Sequence, residues 1–153
     1  MGKRREGREA AVQFLYQVDL HSGESPLDTD AFWALRSGPE PKPPVARTRI
    51  FTEQLIAGVT AHLAEVDGLI TKYAANYQLG RIAAVDRNIL RLAIYEMLFS
   101  PDVAPVIVIN EAIEIAKKFG TEKSGGFVNG ILDRIRKDLG SEGRVPASPS
   151  STA

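Results

Sequence analysis

Apolar positions along this chain recur at helical spacing, and the pattern predicts α-helices almost throughout. At the front, Ala11, Phe14, Leu15 and Val18 fall at i, i+3, i+4 and i+7, on one face of a helix over residues 3–20. Arg5, Glu9, Val12 and Tyr16 occupy a neighbouring stripe, with Arg8 and Gln13 at its edges. Gly23 and Pro26 close the segment. Asp28–Arg36 carries Phe32, Trp33 and Leu35 and fits a short second helix. The octet Ser37–Pro44 (SGPEPKPP) holds four prolines. Prolines are excluded from helix interiors and central strands, so an exposed, stiff loop is expected over 37–44.

The helical period resumes at Val45. Phe51, Leu55, Val59, His62, Val66, Leu69 and Tyr73 share a face, in one long helix or in two that meet near Asp67 and Gly68. Gly80 marks the expected stop before the next element. Ile82–Phe99 is apolar on nearly every side, interrupted by Asp86, Arg87, Arg91 and Glu96, which places it in the middle of a bundle. Val106–Ile109 alone would pass for a buried strand. The spacing of Val106, Ile109, Ile113 and Ala116 continues at helical period, so a helix from Pro105 is expected instead. Lys117 and Lys118 suit the dipole of its last turn, and Gly120 caps it. The final helix starts near Ser124, with Phe127, Ile131, Ile135 and Leu139 as its core stripe. Gly130 within it costs about 1 kcal/mol relative to alanine, which predicts close packing of another helix there. Beyond it, residues 140–153 are small, polar and proline-bearing, with too little apolar surface to fold, and are expected to be a disordered tail.

Composition narrows the class. With 153 residues, 44% hydrophobic and 25% charged, the chain is an ordinary all-α domain over residues 1–139. It has no cysteine, so disulfide scaffolds and thiolate metal sites are excluded, consistent with a reducing, cytoplasmic setting. No apolar run reaches the roughly 18 residues that a membrane span needs. The N-terminus lacks the apolar core of a signal peptide. The 19 basic and 19 acidic residues cancel, which argues against coating nucleic acid by bulk charge and directs attention to local patches.

Candidate chemistry is sparse. His21 and His62 are too few and too far apart for a metal site, and His62 on an apolar face reads as a partly buried histidine. Glu111 and Glu114 lie beside Lys117 and Lys118, with Glu114 and Lys118 at i,i+4, and read as a solvated helix face. Gly125 and Gly126 precede a helix; a phosphate could sit there, although a flexible turn is the simpler explanation. No phosphate loop, dinucleotide fingerprint or nucleophile–base pair occurs, so a non-enzymatic protein without cofactors is expected. The one concentrated basic run is Lys3, Arg4, Arg5 and Arg8, diluted by Glu6 and Gly7. It leads straight into the first helix, where Gln13 and Tyr16 follow. Arginines hold phosphates and an aromatic ring stacks on an unpaired base, a combination suited to single-stranded RNA. The alternative for Tyr16 is a core-edge ring with its hydroxyl in water.

Four segments together resemble the NusB family: Arg8–Tyr16 (REAAVQFLY), Val85–Glu96 (VDRNILRLAIYE), Ile109–Phe119 (INEAIEIAKKF) and Phe127–Asp133 (FVNGILD). They occur in order, and the likeness covers roughly residues 4–139; the proline-rich stretch and the tail fall outside it. The resemblance implies an all-α fold of two packed three-helix subdomains, with about seven helices. It implies a bacterial transcription antitermination factor that binds boxA RNA together with NusE, a small-subunit ribosomal protein. That complex assists RNA polymerase, notably on ribosomal RNA operons. Carried over by position, the RNA face would comprise Lys3, Arg4, Arg5, Arg8, Gln13, Tyr16, Lys118, Lys123 and Phe127. The partner face would include Asp86, Arg91 and Glu96. A similar domain fronts some ribosomal RNA methyltransferases, so a role in rRNA methylation or ribosome biogenesis is the alternative. The end of this chain soon after Leu139, without a methyl-donor site, favours the free-standing factor. Residue pattern leaves monomer or homodimer open.

Overall fold

The computed structural model describes residues 2–21, 29–37, 43–74 and 76–142. The described residues form seven α-helices and one short 3-10 turn, in two compact units that divide after Ala61. Gly23, Pro26, most of the proline-rich loop and the tail beyond Glu142 lie outside the described residues.

The first unit holds α1 (Gly2–His21), α2 (Thr29–Ser37) and α3 (Pro43–Ala61). Helix α1 packs along α3, and Gly7 makes room for that approach. A Cβ on Gly7 would lie 2.6 Å from Phe51 Cδ2, and the Thr52 hydroxyl donates to the Gly7 carbonyl at 2.8 Å. The glycine therefore admits α3 rather than loosening α1. Ala10, Ala11, Val12, Phe14, Leu15, Leu55 and Val59 are buried, and Trp33 joins them from α2. Phe14 meets Phe32 edge to face at 5.3 Å, anchoring α2. Two expectations change. Val18, assigned to the core stripe, is 42% exposed, while Val12 on the neighbouring stripe is buried. Pro43 and Pro44 open α3 instead of lying in the loop. Proline suits a first helical turn because its missing N–H would have had no intrahelical partner there.

The second unit holds α4 (Leu63–Tyr73), a 3-10 turn (Leu79–Arg81), α5 (Ala84–Phe99), α6 (Pro105–Phe119) and α7 (Ser124–Glu142). Its four α-helices and the three of the first unit make up the about seven helices that the resemblance implies. The break before α4 falls at His62, not near Asp67 and Gly68. Gly80 lies inside the 3-10 turn, several residues after α4 has ended. Helix α5 packs against α4, α6 and α7, as its all-round apolar pattern requires. Ile89, Leu90, Ile94 and Met97 are fully enclosed, and Ile115, Val128, Leu132 and Ile135 are buried on α6 and α7. Pro105 starts α6, Lys117 and Lys118 fill its last turn, and Gly120 follows it, all as the sequence predicts. Val106, however, is 53% exposed; Val108 and Ala112 carry the buried face with Ile109. Helix α7 runs on to Glu142, so residues 140–142 are helical rather than tail. Gly130 is exposed, with open space where a methyl group would stand, so no close helix explains it.

Polar links complete the second unit. Arg91 on α5 reaches Asp67 on α4 through Nε and Nη2 at 2.8 and 2.9 Å, a bidentate fork on a carboxylate. Its Nη1 donates to Asn88 Oδ1 at 3.0 Å, and Asn88 Nδ2 donates to the Ala84 carbonyl. Arg134 on α7 donates to the carbonyl of Tyr73 at the end of α4, and the Tyr73 hydroxyl donates to Asp138.

Candidate nucleic-acid and partner interface

The basic run lies within the first two turns of α1, so its charges are carried by an ordered helix. The side chain of Lys3 lies outside the described residues. Arg4 is exposed, with its guanidinium 5.1 Å from the centre of the Phe51 ring. Arg5 is half-buried. Arg8 was expected on the exposed side, and here the structure corrects the reading: it is 4% exposed and lies 5.6 Å over the same ring. The cause is helical geometry. Arg4, Arg8, Ala11 and Leu15 are spaced by four, three and four residues, and that stripe meets α3. A guanidinium can enter such a site because it stacks on an aromatic face and is weakly hydrated.

Gln13 and Tyr16 are both half-buried. Arg36 of α2 donates to the Gln13 side-chain oxygen, so this amide already joins α1 to α2. Half-burial of Tyr16 agrees with a ring at the edge of the core, and leaves part of it on the surface.

In the second unit the residues of interest lie at the end of α6 and the start of α7. Lys118 and Lys123 are exposed, and the Lys118 ammonium lies 5.5 Å over the Phe119 ring. Lys117 pairs with Glu114 at 3.4 Å, so the i,i+3 pair forms where the i,i+4 pair with Lys118 was anticipated. The turn between the helices is tightly built. Thr121 N–H donates to the Ser124 hydroxyl at 2.9 Å, and Lys123 N–H to the Thr121 hydroxyl at 3.2 Å. A Cβ on Gly120 would collide with the Ser124 side chain, so glycine is required there. Gly125 faces α6, where an added Cβ would lie 3.8 Å from Ile113, while Gly126 faces open space. These glycines are thus part of an ordered helix start rather than a flexible turn. One helical turn after Lys123 comes Phe127, half-buried and edge to face with Tyr77 at 5.5 Å.

Tyr77 was not anticipated from the sequence. It belongs to neither neighbouring helical stripe, and its only signal is an aromatic residue in the polar stretch between α4 and α5.

Of the three residues assigned to a partner face, two lie inside. Glu96 is 2% exposed and Arg91 is 9% exposed, the latter held by Asp67 and Asn88. This corrects their reading as surface contacts: on a helix that is packed by three others, a charged residue has little surface to occupy. Asp86 is half-buried in the first turn of α5, where a carboxylate is favoured by the helix dipole. Its Oδ1 is buried without a hydrogen-bond partner among the described residues.

His62 is half-buried, stacked on Phe99 at 4.1 Å, with Glu65 3.2 Å from its Nδ1, which is the partly buried histidine expected. Tyr95 stacks beside it on Phe99; burial, and then the charge of Glu96, push its phenol above the ordinary value. Among the described residues no group of three His, Asp or Glu side chains is placed to hold a metal ion. No described helix is long and apolar enough to cross a membrane.

Comparison with known proteins converges on one family. Residues 5–137 match the profile of the NusB family. The transcription antitermination protein NusB of Geobacter sulfurreducens is 46% identical over 143 residues, spanning 94% of this chain and 100% of that protein. NusB of T. maritima superimposes with a TM-score of 0.74 at 39% identity, over 88% of this chain and 91% of the other. A crystal structure of antitermination factors NusB and NusE in complex with dsRNA matches with a TM-score of 0.72 at 30% identity, over 90% of this chain and 98% of that one.

Proposed function

This chain belongs to the NusB family, and from that membership we propose that it acts in transcription antitermination by binding boxA-type single-stranded RNA jointly with NusE. On this reading it is a cytoplasmic binding factor with no chemistry of its own. It joins the antitermination complex on RNA polymerase and favours read-through, notably on ribosomal RNA operons. The observation that carries the RNA assignment is Arg4, exposed at the front of an ordered helix, with half-buried Arg5 beside it. Such residues can meet phosphates without first having to order the backbone that bears them. In the second unit, Lys118 and Lys123 add exposed cations and Phe127 adds an aromatic ring. Aromatic stacking needs an unpaired base, and the deep major groove of an RNA duplex is closed to side chains, so single-stranded RNA suits these groups better. A joint role for NusE is supported by the relative solved with NusE and dsRNA. Asp86 is the proposed NusE contact, since it is half-buried while the other two assigned residues are buried.

Titration of labelled single-stranded boxA RNA, with and without NusE, tests the assignment. Binding is expected to be weak alone, tighter with NusE, and steeply weakened as salt rises from about 50 to about 200 mM. Asp86→Lys should abolish the gain from NusE while leaving the fold intact. Affinity that ignores both salt and NusE rejects the proposal, and an undiminished NusE effect in Asp86→Lys removes Asp86 from it.

A further inference from the structure

We propose that Tyr77 is a second RNA-stacking residue, forming with Phe127 a two-sided aromatic corner that receives one unpaired base. The inference rests on the RNA reading above and adds to it a residue and a mode of contact. The two rings stand at 82° with their centres 5.5 Å apart. A base laid flat on one ring of such a pair presents its edge toward the other, so two directions of approach are fixed at once. Tyr77 remains 52% exposed despite the contact, and Phe127 is half-buried. A tyrosine that served only to complete the core would be expected to bury most of its ring.

The segment bearing Tyr77 is held in place from several sides. Its own N–H donates to the Ala74 carbonyl at 2.9 Å, closing a turn directly after α4. Arg81 N–H donates to the Gln78 carbonyl at 2.9 Å, closing the next turn. From α5, Arg87 Nη1 donates to the carbonyls of Leu79 and Ile82 at 3.1 and 2.7 Å. An exposed ring on a backbone ordered in this way loses little freedom when a ligand stacks on it. Charge complementarity points to a nucleotide as the occupant. Lys123 lies one helical turn before Phe127, its carbonyl accepting the Phe127 N–H at 3.1 Å, and its side chain is exposed. Stacking supplies affinity without regard to base identity, while a lysine beside the ring suits the phosphate attached to that base.

The test uses the full chain with NusE and labelled single-stranded boxA RNA, comparing Tyr77→Ala, Tyr77→Leu and Tyr77→Phe. Loss of a stacked base is worth roughly tenfold in affinity. Tyr77→Ala and Tyr77→Leu should each weaken binding about tenfold, and Tyr77→Phe should stay within about twofold of the parent. Leucine preserves apolar bulk against Phe127 but lacks a π face, so it separates stacking from simple support of the loop. RNAs carrying single abasic sites provide a second readout: one site should weaken the parent protein clearly more than it weakens Tyr77→Ala, which keeps only the Phe127 ring. If Tyr77→Leu binds like the parent, or no abasic site distinguishes the two proteins, the aromatic corner is rejected while RNA binding by the parent still stands. If the parent itself does not bind this RNA, the RNA reading fails and this inference fails with it.

Discussion

Arg8 and Arg91 show how a charge can be structural in a chain whose surface charges are the proposed RNA contacts. Arg8 is buried over the Phe51 ring, and Arg91 forms a fork on Asp67 with Asn88 behind it. Removing one partner of a buried ion pair leaves the other desolvated and uncompensated. Arg91→Ala should therefore lower unfolding free energy by about 3 kcal/mol, with Arg91→Lys intermediate because an ammonium cannot reproduce the fork. Arg8→Ala should cost about 1 kcal/mol through lost packing and lost cation–π attraction. Denaturant titration checks both; unchanged stability would return Arg8 to the exposed set and deny Asp67 its role. Neither result was legible in the sequence. Arg8 stands within a basic run, and its burial follows from Gly7 and Phe51 drawing α3 against that side of the helix.

At the scale of elements, two helical glycines carry opposite consequences. Gly7 lies where α3 meets α1, and an added methyl would lie 2.6 Å from Phe51. Gly130 lies in α7 with open space around it, and its carbonyl accepts a 3.3 Å bond from Arg134 Nε. Gly130→Ala should thus stabilise the protein by about 0.5–1 kcal/mol through helix propensity and reduced freedom of the unfolded chain. Gly7→Ala should destabilise it by about 1–3 kcal/mol through overpacking. Thermal melts of the two variants should move in opposite directions; a destabilised Gly130→Ala would mean that this position is constrained in a way that open space does not explain. From sequence both residues look like defects in a helix, because composition does not reveal what stands opposite a missing side chain. Helix starts and stops were more legible: Pro105, Lys117, Lys118 and Gly120 delimit α6 through local chemistry alone.

For the molecule as a whole, the balance of 19 basic and 19 acidic residues means that the proposed RNA ligand would be attracted by placement of charge rather than by its total. Exposed Arg4 and half-buried Arg5 are the proposed phosphate contacts on α1. Each phosphate neutralised on a single strand contributes about 0.7 to the slope of log affinity against log salt. The double variant Arg4→Ala with Arg5→Ala should therefore flatten that slope by about 1.4 and weaken binding, with little change in melting temperature. An unaltered slope would exclude both residues from phosphate contact.

The sequence by itself determined that the chain is helical, approximately where the helices lie, and which family they form. Helical period and capping depend on neighbours within a few residues, and the four NusB-like segments are contiguous strings. Tertiary structure alone decided which charges are held inside, that the break between α3 and α4 falls at His62, and that Tyr77 stands against Phe127. These properties depend on which face of each helix its neighbours cover. Residues that meet there are separated by tens of positions in the chain, so no local pattern can register them.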